Sequence, residues 1–362
     1  MSLGDLSPEE LRKTFDKRIR PTLTSAHQDG HAATIHVVGA QPGAGKSRVI
    51  GALAQSFPGA VPVIGDDFRP AHPRYEDLMR DDPLAMPAVT AQASGVWVGM
   101  ALEYLRNTQT EILLETTMRQ ATVVNATLRD FKTAGYRTEL HVLAVPPELS
   151  RLGTLTRYTG QVEDVGAGRW TPGKMHDIAA AAVPETLDAV LDAQLLSRVV
   201  ICDRQANVLF EADPEPGNWQ QVSAAAQEAL REGRETTSLS ELDRQDWAIQ
   251  LAKDLEVCAR TGQTDPDLIR TMRHLVEVDA PAVTRHLPQD EQRNLLANIR
   301  TAANDIPGLG ANSVRKASFP TPPRAQERSG EQVPPTSVME DHLAAQIRRA
   351  RGRDRGSGTP ER

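Results

Sequence analysis

Directly after an apolar run at residues 35–38 the chain reads Ala40-Gln41-Pro42-Gly43-Ala44-Gly45-Lys46-Ser47. A strand that runs into a glycine-rich loop and closes on Lys-Ser at a helix start is a phosphate-binding arrangement. Gly43 and Gly45 let the backbone turn its N–H groups inward, and those donors and the positive helix end cradle phosphate oxygens. Lys46 reaches the β- and γ-phosphates, and Ser47 offers a hydroxyl to Mg²⁺. The first position, glycine in the commoner form of the loop, is Ala40, small enough to fit. The alternative is a glycine-rich turn that merely follows a strand. On the phosphate-binding reading the chain handles a nucleoside triphosphate, and the question becomes where the γ-phosphate goes.

Three further groups bear on that question. The stretch Val63-Ile64-Gly65-Asp66-Asp67-Phe68-Arg69-Pro70 sets two carboxylates beyond a short strand, where one can take the proton of an acceptor hydroxyl as it attacks phosphorus. Asp66 and Asp67 compete for that role, and the other can serve as a helix N-cap. In Ile112-Leu113-Leu114-Glu115-Thr116-Thr117-Met118-Arg119 an apolar strand ends in an acid, the position from which a carboxylate holds Mg²⁺ or its water. Finally, Arg157 in a helix and Arg169 before Trp170-Thr171-Pro172 are cations that could stabilise charge spreading over the γ-oxygens. Arginine on a helix surface is more often a solvated charge.

Around these groups, strand and helix signals alternate. Strands are expected at residues 35–38, 61–64, 111–114, 138–145, 197–202 and 207–210, and helices at 94–106, 123–134, 147–159 and 172–193. Ser7-Pro8-Glu9-Glu10 combines an N-cap, a proline at the first helical position and a capping-box glutamate, predicting a helix over 8–18. This order predicts an α/β fold, a parallel sheet with helices on both faces, whose ligand sits at the C-terminal strand ends. Residues 1–217 would form that domain. Past Gly217 strand signals cease, and helices are expected at 219–231, 241–258, 267–278 and 289–303, an all-α region over 218–304. Residues 305–362 read as a Pro/Ser-rich disordered linker, one short helix over 339–350 and an Arg-rich tail.

Composition narrows the function classes. A formal charge of −7 gives no general case for nucleic-acid binding, except through the Arg-rich tail. Cys202 and Cys258 lack metal-ligand spacing and suit packed thiols in a reducing cytoplasm. The first residues carry no apolar signal segment, and no apolar run has membrane-spanning length.

Taken together, GAQPGAGKS, VIGDDFRPAHPRY, ILLETTMR, HVLAVPPELSRLGTLTRY and GRWTPGKMHDIAAAAVPETL resemble, in order and spacing, the zeta-toxin family of toxin–antitoxin systems, over about residues 30–210. The resemblance implies an ATP- and Mg²⁺-dependent kinase acting on the 3′-hydroxyl of the amino sugar of UDP-N-acetylglucosamine. It places Lys46 and Ser47 on nucleotide phosphates and metal, and makes Asp66 the general base. Glu115, Thr117 and Arg119 would line the site with Asp67, and Arg157 and Arg169 would flank the transferring phosphate. It further implies a protein antitoxin that covers the nucleotide site with a helix. The chain departs from the pattern where sugar-nucleotide kinases of the family carry a substrate-contacting acid. That place falls at about Gly99, with Glu103 one turn on.

Two other readings differ in class. A regulatory GTPase lacks support, because no N-K-x-D motif is present and the one D-x-x-G begins at Asp305, far from any strand. A non-catalytic binding module, with the C-terminal helices docking a partner, is opposed by the joint presence of Lys46, Asp66 and both arginines.

Overall fold

The computed structural model describes residues 4–24 and 32–309. At its centre lies a six-stranded sheet of β1 (Thr34–Gly39), β2 (Val61–Val63), β3 (Ile112–Thr116), β4 (Arg137–Leu143), β5 (Arg198–Cys202) and β6 (Val208–Ala212). The strand order is β2-β3-β1-β4-β5-β6. The first five are parallel, and β6 returns antiparallel to β5. Parallel strands need both faces covered, and β1 and β4 show it by being buried nearly end to end.

Side-chain alternation sends the strands to two cores. Ile35, Val37, Leu140 and Val142 face one layer, built from the helices Pro8–Thr14, Ala91–Asn107, Ala121–Thr133, Gly173–Asp192 and Trp219–Gly233. Val38, Leu113 and Leu143 face the other, built from Lys46–Ser56, Pro147–Val165, Glu241–Arg260, Pro266–His274 and Gln289–Asn304. The expected α/β architecture is therefore present. The helices beyond residue 217 join both layers: Val222, Ala226 and Leu230 lie in the first, and Trp247, Leu251 and Leu255 in the second.

Local chemistry sets the element ends. Ser7 and Glu10 form the expected capping box, with the Ser7 backbone N–H donating to Glu10 at 2.8 Å. The helix they open ends at Thr14 and continues as one π turn, Phe15–Ile19, rather than as regular helix to residue 18. Trp97 pins it by donating from its indole nitrogen to the Leu11 carbonyl at 3.0 Å. Cys202 and Cys258 are buried free thiols, each pushed up to about 12 by burial, hence inert packing groups. No described helix is long and apolar enough to cross a membrane. The expected helix over 339–350 and the Arg-rich tail lie outside the described residues.

Candidate active site

The glycine-rich loop follows β1 at the C-terminal edge of the sheet and ends in the Lys46–Ser56 helix, with Gly45 as the left-handed N-cap at φ 98°. Gly43 is also left-handed, at φ 77°. Its α-carbon lies so close to the Pro147–Val165 helix that a β-carbon there would fall 2.0 Å from the Ser150 carbonyl oxygen. The approach is mutual, since a β-carbon on Gly153 would meet the Gly43 carbonyl at 2.3 Å. Loop and helix are thus in backbone contact, which only glycines permit. Ala40 and Ala44 are fully buried, Pro42 is half-buried, and Ser47 is exposed in the first helical turn.

Lys46 is folded back onto its own loop. Its ammonium donates to the carbonyls of Ala40 at 3.0 Å and Gln41 at 3.2 Å, and pairs with Glu115 of β3 at 3.3 Å. Burial presses its pKa down, and the Glu115 carboxylate only partly offsets this. The register that sets Glu115 beside Val38 of β1 brings this acid to the loop.

Asp66 and Asp67 open the 3-10 segment Gly65–Ala71 that follows β2. Asp66 is held on both oxygens, by Arg69 Nε at 2.7 Å and by Arg169 at 2.9 Å. Burial would raise its pKa, but Arg169 and Arg69 outweigh burial and hold it below the ordinary carboxylate value. Asp67 moves the opposite way, raised by burial and by the nearby Glu115 and Asp66 carboxylates. Two adjacent acids are therefore pushed apart, one to a firm anion and the other toward the neutral acid.

Arg157 projects from the Pro147–Val165 helix and donates to the Thr171 hydroxyl. Its Nε is buried without a partner. Burial first, and then the positive charge of Arg169, lower its pKa to about 10. A half-buried guanidinium whose buried Nε has no hydrogen-bond partner leaves a donor that an anion could take. Lys46, Asp66, Asp67, Glu115, Arg157 and Arg169 thus converge from five chain segments into one electrostatic group. Thr117 is half-buried outside the ion-pair network, and Arg119 is exposed, with no ion pair among the described residues. At Gly99 a β-carbon would meet open space, and Glu103 is exposed.

Sequence reading missed the groups that fix these side chains. Arg69 lies in the quoted motif, yet its clasp on Asp66 was not foreseen. Behind the loop, Gln41 donates to the Val145 carbonyl at 2.9 Å and the Ser150 hydroxyl at 3.1 Å, and Ser150 bonds His176 at 2.8 Å. His176 and Arg151 both meet Asp177, at 2.9 and 2.8 Å, and Arg151 also donates to buried Asp279 at 2.6 Å. Ser150 and His176 are fully buried and cannot reach a substrate, although Asp177 is exposed, so this serine–histidine–aspartate series supports the loop. From the C-terminal helices, Arg234 donates to Gln41 at 3.0 Å. Asp267 accepts from Trp170 at 2.9 Å and from the Gly173 N–H at 3.0 Å, either side of Thr171. Asp254 accepts from Thr156 and Thr159, which bracket Arg157, at 2.6 and 2.8 Å. Gln41, Arg69, Ser150, Arg151, Thr156, Trp170 and the His176-Asp177 pair lie within the quoted motifs, whereas Arg234, Asp254, Asp267 and Asp279 had no local signal.

Comparison with known proteins gives a consistent result. The sequence profile of the Zeta toxin family matches residues 18–215. Toxin PezT of Streptococcus pneumoniae is 26% identical over 214 residues, covering 59% of this chain and 84% of that protein. Toxin zeta of Streptococcus pyogenes is 28% identical over 205 residues, covering 55% of this chain and 71% of that protein. Among solved structures, one from the PezAT chromosomal toxin–antitoxin system of S. pneumoniae superposes with a TM-score of 0.59 at 23% identity. It covers 70% of this chain and all of that one, and establishes the shared fold.

Proposed function

The chain belongs to the zeta toxin family, whose members are kinase-like phosphotransferases, and from that premise we propose that it transfers the γ-phosphate of ATP to a hydroxyl of a sugar nucleotide. The observation that carries the proposal is the half-buried Arg157, whose buried Nε has no hydrogen-bond partner, set among Lys46, Arg169 and the firm anion Asp66 beside a glycine-rich loop. Such a group suits a phosphoryl passing between two oxygens, because its charge is spread over equatorial oxygens that cations can reach.

Each residue then has a task. Residues 40–47 bind the nucleotide phosphates through backbone N–H groups, and Lys46 exchanges its loop carbonyls for phosphate oxygens. Asp66, anionic throughout the neutral range, accepts the proton of the attacking hydroxyl, while Arg69 keeps the carboxylate oriented. Arg157 and Arg169 neutralise charge on the transferring group, Arg157 through its free Nε. Thr117 and Arg119, with Asp67, line the acceptor side. Ser47 and Glu115 would hold Mg²⁺, and the mutual repulsion of Glu115 and Asp67 fits a cation there. When bound, that ion neutralises the phosphate oxygens.

The acceptor that the family pattern favours is the 3′-hydroxyl of the amino sugar of UDP-N-acetylglucosamine, and the phosphorylated product would obstruct cell-wall synthesis. A protein antitoxin would silence the enzyme by laying a helix over the nucleotide site. The absence of an acid at Gly99 favours a second acceptor, a sugar nucleotide not gripped by an acid from this helix. Purified protein with Mg-ATP and a panel of sugar nucleotides, followed by product mass, tests both. One added phosphate on UDP-N-acetylglucosamine, absent with Lys46→Ala or Asp66→Asn, is expected. Phosphate on another sugar nucleotide alone would replace the acceptor, and no phosphorylated product from any of them would overturn the kinase reading.

A further inference from the structure

On the face of the sheet covered by the Lys46–Ser56 helix, three polar side chains lie where strand alternation calls for apolar ones. They are His36 of β1 and Glu139 and His141 of β4. The parallel register pairs His36 with Glu139 and Val38 with His141, so all three point the same way. His36 is fully buried, and Glu139 and His141 are 8% and 7% exposed. One Glu139 oxygen lies 3.1 Å from His36 Nδ1 and 3.6 Å from His141 Nε2, and the three atoms lie within 4.8 Å of one another.

These contacts are close ion pairs that lack aligned hydrogen-bond geometry. Both nitrogens, His36 Nδ1 and His141 Nε2, are buried, and neither has an aligned hydrogen-bond partner besides these approaches to Glu139. The other ring nitrogen of His36, Nε2, sits 3.4 Å from Glu111 Oε1, just before β3. With the ring proton on Nε2, facing Glu111, the bare lone pair of Nδ1 faces a carboxylate oxygen. That arrangement is repulsive unless a cation lies between them. An imidazole whose far N–H is held by a carboxylate is also the usual outer shell of a metal-bound histidine. Tetrahedral bonds of about 2.05 Å put ligand atoms about 3.3 Å apart, and the separations of 3.1 and 3.6 Å bracket that figure.

We propose that His36 Nδ1, His141 Nε2 and Glu139 bind one divalent transition-metal ion, of which Zn²⁺ best matches two imidazoles and a carboxylate. Glu111 orients His36 from outside. Charges around the site are mixed: Glu111 and Glu139 are negative, Arg137 lies 3.7 Å from Glu139, and Arg198 acts on His141. Three protein ligands leave the fourth tetrahedral position to a water molecule. The ion would tie β1 to β4 at the strand that leads into the phosphate loop, a structural role separate from phosphoryl transfer.

The test uses the full chain, free of any histidine tag and stripped with chelator. It is titrated with Zn²⁺ by calorimetry and with Co²⁺ by visible absorption. One equivalent is expected, with the intense ligand-field bands of four-coordinate Co²⁺. His141→Gln and Glu139→Gln should each weaken Zn²⁺ binding at least 100-fold, and Glu111→Gln about 10- to 100-fold. Ser47→Ala should leave it unchanged, because that hydroxyl belongs to the phosphate loop. Absence of saturable binding, weak six-coordinate Co²⁺ bands, or binding lost with Ser47→Ala but kept with His141→Gln would each overturn the proposal. So would a His36 imidazolium persisting at neutral pH in metal-free and Zn²⁺-treated protein alike, which would make the bridging cation a proton. Should the variants fail to fold, the Co²⁺ spectrum of the unaltered chain decides.

Discussion

Replacing Gly43 by alanine tests whether the phosphate loop rests on the Pro147–Val165 helix. At φ 77°, an alanine costs about 1–2 kcal/mol in the left-handed region. A second cost is steric. The new methyl would lie 2.0 Å from the Ser150 carbonyl oxygen and 2.8 Å from the Thr154 nitrogen, both backbone atoms of a buried helix that cannot rotate aside. Overpacking of this kind costs about 1–3 kcal/mol. The loss of unfolded-state freedom returns about 0.4–1 kcal/mol, leaving a net destabilisation of about 1–5 kcal/mol. Gly45 is the control. It is left-handed too, at φ 98°, but a methyl there meets nothing closer than the Arg204 side chain at 3.5 Å, an ordinary contact. Gly45→Ala therefore carries the conformational cost without the steric one. Urea unfolding of the nucleotide-free proteins should show Gly43→Ala less stable than Gly45→Ala by about 1–3 kcal/mol. Equal stabilities would refute the backbone contact and the support that it gives the loop.

Three further outcomes follow from the site. Asp66 must be ionised to accept a proton, and Arg169 and Arg69 hold its pKa low; kcat/KM for phosphoryl transfer should therefore stay level on the acid side down to about pH 4, the ordinary carboxylate range. Arg169→Met should move the acid limb upward, and an unmoved limb would remove Asp66 from the base position. Arg157→Ala should lower kcat by about 10²–10³-fold, as loss of a donor to developing charge does, without reducing urea stability, since it relieves a crowded cation. Arg234→Met removes donors from the Gln41 side chain and the Ala180 carbonyl, and should cost about 1.5–3 kcal/mol in urea unfolding. A stability unchanged within error would mean that the loop is seated without it.

What could be read from the sequence is what depends on neighbours along the chain. The capping box at Ser7, the strand-loop-helix run through Lys46 and the acid near the end of β3 are local patterns, and they stand where expected to within a residue. Predicted ends slipped where competing geometry entered: β4 stops at Leu143, ahead of Pro146 and Pro147, rather than running to residue 145. The grip of Arg169 on Asp66 spans about a hundred residues, and the resemblance put Arg169 at the transferring phosphate without indicating this pair. Arg234 on Gln41, Asp267 on Trp170 and Asp279 on Arg151 left no periodic trace, because one side chain meeting another across the fold has no characteristic spacing. His36 and Glu139 likewise become neighbours only once β1 and β4 are in register.

The C-terminal helices change what a shortened form of this chain would mean. The family profile ends at residue 215, an inviting place to cut when seeking a minimal enzyme. A cut there would strip Trp247, Leu251 and Leu255 from one face of the core. It would also take Arg234 from Gln41, Asp267 from the segment beside Arg169, and Asp254 from the two threonines around Arg157. An inert fragment would then report a collapsed scaffold, not missing chemistry. The same dependence gives evolution a handle: substitutions on these outer helices can tune the potency of a damaging enzyme without altering any residue that meets its substrate.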